Sequence, residues 1–176
     1  MDTKVLVTYA TKHGATAEIA NKISDVLRQS GLQTEVIPVK EVKNLAAYNA
    51  VILGSAVYIG AWRKEAVQFL KANGQALAER AVWVFSSGPT GKGDPVELLK
   101  GWKYPPAQQP LVDGIHPRGV TVFHGNLDIK KLNAIEKWLI KNVKAEAGDF
   151  RDWNAITAWA TSIADALRTP TPPSPK

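Results

Sequence analysis

Residues Lys4–Thr16 read K-V-L-V-T-Y-A-T-K-H-G-A-T, and this stretch decides the fold. Its first half, Lys4–Tyr9, is apolar and β-branched without a polar alternation, the pattern of a strand covered on both faces. Downstream, Ile19, Ala20, Ile23, Val26 and Leu27 recur at helical spacing and Gly31 stands just past them. That spacing predicts a helix over Thr16–Gln29. The strand thus hands over to the helix through Thr11, Lys12, His13, Gly14, Ala15 and Thr16. The start of a helix exposes unpaired N–H groups and the positive end of its dipole. Gly14 lets the backbone turn tightly and approach a ligand. Two threonine hydroxyls and the Lys12 ammonium complete the chemistry of a phosphate cradle. The alternative reading is a plain helix start with a turn glycine.

Working outward, the same alternation continues. Gln33–Pro38 is expected to be an edge strand, since Pro38 would remove a ladder donor from a central one. Ala50–Gly54, Ala81–Ser86 and Val120–His124 read as further strands, Arg63–Lys71 as a short helix and Asp152–Leu167 as a closing helix. Five strands with helices between them predict an α/β doubly wound parallel sheet. Two stretches exceed the minimal pattern. Asp94–Arg118 is rich in Pro, Gly and Gln, and Leu127–Arg151 contains a helix of its own after the fifth strand. Insertions of this length in a compact domain are often functional. Residues 1–168 are expected to form the domain, and 169–176, TPTPPSPK, a disordered Pro-rich tail.

Composition narrows the chemistry. The 176 residues are 45% hydrophobic and 22% charged, ordinary for a folded domain. There is no cysteine, which excludes disulfides, thiolate metal sites and a cysteine nucleophile. The three histidines, His13, His116 and His124, lack metal-ligand spacing, so no metal site is expected. The net charge is +6, which suits an anionic lipid surface, an acidic partner or nucleic acid. No basic run with interleaved aromatics supports nucleic acid, and no partner of that kind is expected. The N-terminus has neither a signal-peptide core nor a membrane-spanning run, so the expected location is cytoplasmic.

The known phosphate loops can be compared directly. GxxxxGK followed by Ser or Thr is absent, and so is GxGxxG. A strand followed by T-x-x-G-x-T at the start of a helix, here Thr11 to Thr16, instead resembles the phosphate loop of the flavodoxins. That resemblance implies a flavodoxin-like sheet of order 2-1-3-4-5 with FMN bound at the switch point between strands 1 and 3. It further implies two more ligand loops. One follows strand 3 and contains Ser55, Ala56, Val57, Tyr58, Ile59, Gly60 and Trp62; the other follows strand 4 and contains Ser86, Ser87, Gly88 and Pro89. Tyr58 or Trp62 would stack on the flavin, and Ser86, Ser87 and Gly88 would face its edge through their N–H groups. Packing and turn roles are the alternatives for these residues. The flavin would carry the chemistry, so no catalytic side chain is expected.

Ordinary flavodoxins are acidic, whereas this chain is basic. Its insert after strand 5 and the run Gly148-Asp-Phe-Arg-Asp-Trp153 more closely resemble the menaquinone-dependent protoporphyrinogen dehydrogenases and related flavodoxin-domain proteins. That resemblance implies a flavin oxidoreductase passing electrons from protoporphyrinogen or a similar substrate to a quinone. Within the insert, a single helix is expected over Ile129–Lys144. Leu132, Ile135, Leu139 and Val143 would share one side and Lys130, Lys137, Lys141 and Lys144 the other. The lysine side suits peripheral contact with the inner face of a membrane, or is simply solvated. Asp152 is expected to cap the closing helix, and Asp149 with Arg151 to form a local ion pair of little weight. An electron carrier without substrate chemistry, or a module that lacks the cofactor, would fit the same residues.

Overall fold

The computed structural model describes residues 3–143 and 145–169; the expected tail from Pro170 onward lies outside them, as does Lys144. The first half of the chain runs β1 (Lys4–Ala10), α1 (Ala15–Gln29), β2 (Gln33–Pro38), β3 (Ala50–Tyr58), β4 (Ala61–Trp62) and α2 (Lys64–Ala78). It continues with β5 (Ala81–Ser87), α3 (Pro95–Leu98), α4 (Gln109–Gly114) and β6 (Gly119–Phe123). The last elements are β7 (Asn126–Leu127), α5 (Ala134–Asn142), β8 (Gly148–Asp149) and α6 (Trp153–Arg168). The main sheet has the order β2-β1-β3-β5-β6, with every neighbouring pair parallel. This is the expected flavodoxin-like order; the labels differ only because the two-residue β4 folds back on β3.

The sheet is covered on both faces, which is why its central strands β1, β3 and β5 carry no polar alternation. Val5, Val7, Ile52 and Phe85 pack with Ile19, Ile23 and Leu27 of α1 and Ile156 and Ile163 of α6. Leu6, Val51, Leu53 and Val84 pack with Phe69, Leu70 and Leu77 of α2 and Val112 of α4. Gly54 on β3 is paired with Phe85 on β5. A Cβ there would stand 2.1 Å from the Phe85 ring, so only glycine leaves the ring its place. Phe85 in turn meets Phe123 and Trp159 at ring-centroid distances of 5.7 and 6.0 Å.

Three segments depart from expectation. The helix expected over Arg63–Lys71 runs on to Ala78, because Leu77 is fully buried against the sheet. Asp94–Arg118 forms α3, a 3-10 turn and α4, and buries Val112 and Ile115. The insert is not one helix. A 3-10 turn at Ile129–Lys131 is followed by α5. The break comes at Asn133, whose side chain accepts from the Glu136 N–H while the Glu136 carboxylate accepts from the Asn133 N–H, a capping box. The expected apolar stripe is therefore split. Leu132 is buried, but Ile135 and Val143 are 72% and 52% exposed, and Glu136 is the buried residue of α5.

The insert is anchored at its base. Strands β7 and β8 pair Asn126 with Asp149 and Leu127 with Gly148. The Arg151 side chain is only 4% exposed. It bonds both oxygens of Asp149 at 2.8 and 2.6 Å and Glu18 of α1 at 2.8 Å. The expected local pair is present, and its buried guanidinium, forked between two half-exposed carboxylates, also holds the insert to α1. Its hydrogen bonds hold the Asp149 carboxyl below its ordinary range. Asp152 accepts from the N–H groups of Asn154 and Ala155 and caps α6 as expected. Among the described residues no helix is long and apolar enough to cross a membrane.

Candidate functional site

Three loops leave the carboxyl ends of β1, β3 and β5 and meet where the sheet order switches. The first begins at the Thr11 hydroxyl, which accepts from the Gly14 N–H at 3.0 Å. Gly14 sits at φ +96° and ends the turn, and no side chain caps the start of α1. The second loop is a hairpin. Ile59 and Gly60 both have positive φ, 51° and 71°, the geometry of the two-residue turn that matches strand twist. A β-branched residue in that region is strained, and Ile59 sits at the rim of the site. The third loop is held by close backbone approach. A Cβ on Gly88 would stand 2.6 Å from the Val57 carbonyl oxygen, and one on Gly125 2.8 Å from the Gly88 Cα. Thr16 and Ser87 join their hydroxyls at 2.8 Å and tie α1 to β5.

Between these loops lies an open pocket, about 730 Å³ counting its wide mouth, concave and mostly apolar as ligand sites are. Thr11, Lys12, His13, Ala15 and Thr16 line one side, and Ala56, Val57, Tyr58 and Ile59 another. Ser87 and Gly88 close the third side with Thr90. The remaining expected residues lie off the pocket. Gly14 shapes its loop and Gly60 is the exposed hairpin tip. The Ser55 hydroxyl accepts from the Arg63 N–H at 3.1 Å. The Pro89 carbonyl accepts from the Gly125 N–H at 3.0 Å. Trp62 is 5% exposed and donates from Nε1 to the Ser86 hydroxyl at 2.8 Å. The Ser86 hydroxyl donates in turn to the Lys103 carbonyl at 2.7 Å. The hairpin folds Trp62 back into the core on the α2 side, beside Tyr104. Trp62 and Ser86 are therefore packing residues, and the aromatic at the pocket is Tyr58. The two ring nitrogens of His124 lie 3.1 and 2.9 Å from the Pro89 and Gly93 carbonyl oxygens, and the one that carries the proton donates, which makes the ring a loop tie.

The insert completes the enclosure. Gly125, Asn126 and Leu127 line the pocket, as do Ile140, Val143 and Ala145. Sequence reading missed these because only the β7–β8 pairing brings the insert back over the site. It also missed Glu136, whose Oε1 lies 2.5 Å from Lys12 Nζ and 3.2 Å from both His13 Nε2 and the Tyr58 hydroxyl. Lys12 Nζ stands 3.6 Å from the Tyr58 ring centroid. The bond from Lys12, then the Asn133 N–H, push the Glu136 carboxyl down to about 2. Burial pulls the Lys12 ammonium down, but Glu136 and Tyr58 outweigh it and its pKa is raised. The one sequence signal for Glu136 is the spacing Asn133-x-x-Glu136, a helix-start signature.

The comparisons with known proteins agree with this geometry. Residues 6–154 match the flavodoxin domain family. The chain belongs to that family. The flavodoxin-domain chain is 21% identical over 180 residues to the protoporphyrinogen IX dehydrogenase [quinone] of Escherichia coli K12, covering 96% of this chain and 98% of that one. Its fold is shared with a flavodoxin from the Archaea, at TM-score 0.63, 15% identity and coverage of 95% and 100%. Flavodoxin 1 of Bacillus cereus gives 0.59, 17%, 95% and 99%. A flavodoxin domain implies a flavin cofactor. The pocket fits such a group. One end is polar, at the uncapped start of α1 with its hydroxyls, and the opposite wall is apolar with one aromatic ring.

Proposed function

We propose that this pocket binds FMN and that the protein passes electrons from protoporphyrinogen, or a similar reduced organic substrate, to a quinone. The observation that carries the reading is the opposition of a polar helix start to an apolar, tyrosine-bearing hairpin across one pocket at the β1–β3 switch point. Bound FMN would supply two-electron transfer at its ring. The chain's residues do the rest. Thr11, Thr16 and the first N–H groups of α1 are suited to a phosphate. Ala56, Val57 and Tyr58 offer an apolar wall, and Ser87 and Gly88 close the edge, with the Gly88 N–H given to the Phe123 carbonyl at 3.3 Å. Each turnover would move two electrons and two protons from substrate to quinone, giving the quinol.

The substrate half of the reading is supported by the likeness to the Escherichia coli dehydrogenase over nearly all of both chains. The quinone half draws further support from the outer face of the insert. Ile135 and Trp138 are 72% and 65% exposed there, beside exposed Lys130, Lys137 and Lys141. Apolar and basic groups facing outward together suit an anionic lipid surface, where quinones reside. The test is turnover by FMN-loaded protein with protoporphyrinogen and menaquinone, with and without anionic vesicles. Porphyrin formation that rises with vesicles supports the reading, and its absence contradicts the substrate assignment. A carrier role without substrate is the second reading, favoured by the charge of +6. Electron transfer that falls steeply with salt, without porphyrin formation, would mark it.

A further inference from the structure

Lys12, His13 and Tyr58 line the pocket from two different loops, yet all three meet on one atom, Oε1 of Glu136. Glu136 is not itself a wall of the pocket. It belongs to α5 of the insert, and its other oxygen accepts from the Asn133 N–H at 2.9 Å. The carboxylate is therefore fixed by the start of its own helix and cannot shift without opening that turn. Lysine is a long, rotamer-rich side chain. Here its ammonium is held at once against the carboxylate and over the Tyr58 ring.

This contact does two things. It sets where the Lys12 charge sits, and it cancels that charge. A cation close to a bound ring favours the more negative, reduced form of that ring, most strongly where water is excluded. A cation paired to a carboxylate at 2.5 Å exerts only the weaker field of a dipole. We propose that Glu136 is a positioning residue of the flavin site: it pins Lys12 against Tyr58, neutralises it, and so holds down the reduction potential of FMN bound beside Tyr58. The inference rests on the FMN reading and goes beyond it, because it assigns potential control to a residue outside the pocket wall. It also gives the insert a role in the redox chemistry, since the carboxylate comes from α5.

The experiment measures the midpoint potential of FMN-loaded wild type, Glu136→Gln, Lys12→Gln and the double variant by equilibration with redox dyes at fixed ionic strength. Glutamine keeps the size of Glu136 and removes its charge, but its single accepting oxygen cannot serve both Lys12 and the Asn133 N–H, so the double variant, which carries the same change at the helix start, is the control for it. The expected result for Glu136→Gln is a tenfold or greater gain in affinity for reduced over oxidised FMN, about 30 mV for a two-electron couple. Lys12→Gln should shift the ratio the other way, and the double variant should return to within twofold of wild type. A ratio in Glu136→Gln within twofold of wild type overturns the proposal. So do single variants that shift in the same direction, which would mean loop loosening. Should Glu136→Gln not fold, Lys12→Gln leaves the capping box intact and tests the sign alone; no fall in its ratio overturns the proposal. Wild type that binds no FMN would remove the FMN reading itself, whereas bound FMN with unshifted variants removes this inference alone.

Discussion

At the scale of single residues, the site is set by contacts between positions far apart in the chain. Thr11 to Thr16 was readable as a ligand loop, because a glycine and hydroxyls between a strand and a helix mark one locally, and the loop does line the pocket; its Lys12, expected to serve a phosphate, is paired with Glu136. Trp62 and Tyr58 were not separable in sequence. Only the hairpin turn at Ile59 and Gly60 decides that Trp62 folds into the core and Tyr58 stays at the pocket. Glu136 was not legible as a site residue, since its partners Lys12 and Tyr58 come from other loops. Its carboxyl is lowered from 4.5 to about 2 by the Lys12 bond first. A lowered carboxyl stabilises the fold above its unfolded pKa, and that stability is lost as pH falls through the folded value. Wild type should therefore melt above Glu136→Gln near neutral pH, and the gap should close between about pH 4.5 and 2. Thermal melts of both proteins across that window check this; a gap that does not change with pH would contradict it.

At the scale of elements, the buried strands were legible because nothing polar interrupts them, and α1 and α6 because their apolar residues keep helical spacing. The insert was not, because its expected helix rested on a stripe of Leu132, Ile135, Leu139 and Val143. The capping box at Asn133 starts α5 there, turns Ile135 outward and leaves Val143 half-exposed at the pocket. The pairing of β7 with β8 and the Arg151 fork are likewise contacts across the chain that no local pattern records. Strand β3 gives the sharpest element-level test. Gly54→Ala places a methyl 2.1 Å from the Phe85 ring, and Phe85 is locked against Phe123 and Trp159. Overpacking of this kind costs about 1–3 kcal/mol. Urea denaturation should show a loss of that size, and an unchanged midpoint would mean that the ring packing tolerates the methyl.

At the scale of the whole molecule, the sheet order followed from rules that need no side-chain detail. Parallel strands with right-handed crossovers and one switch point leave few arrangements for five strands. What the chain adds to that common frame is the insert, which reaches from β7 to β8, walls the pocket with Ile140 and Val143, and turns Trp138 and its lysines outward. The fold thus sets the pocket, and the insert is the part suited to selecting what meets it. On the proposed reading, the crevice where β1 gives way to α1 grips the phosphate of FMN. Titrating the purified apoprotein with FMN and with riboflavin, followed by flavin fluorescence, tests it most directly. FMN should bind one to one and at least tenfold tighter than riboflavin, about 1.4 kcal/mol. Equal affinities, or no binding of either, would contradict it.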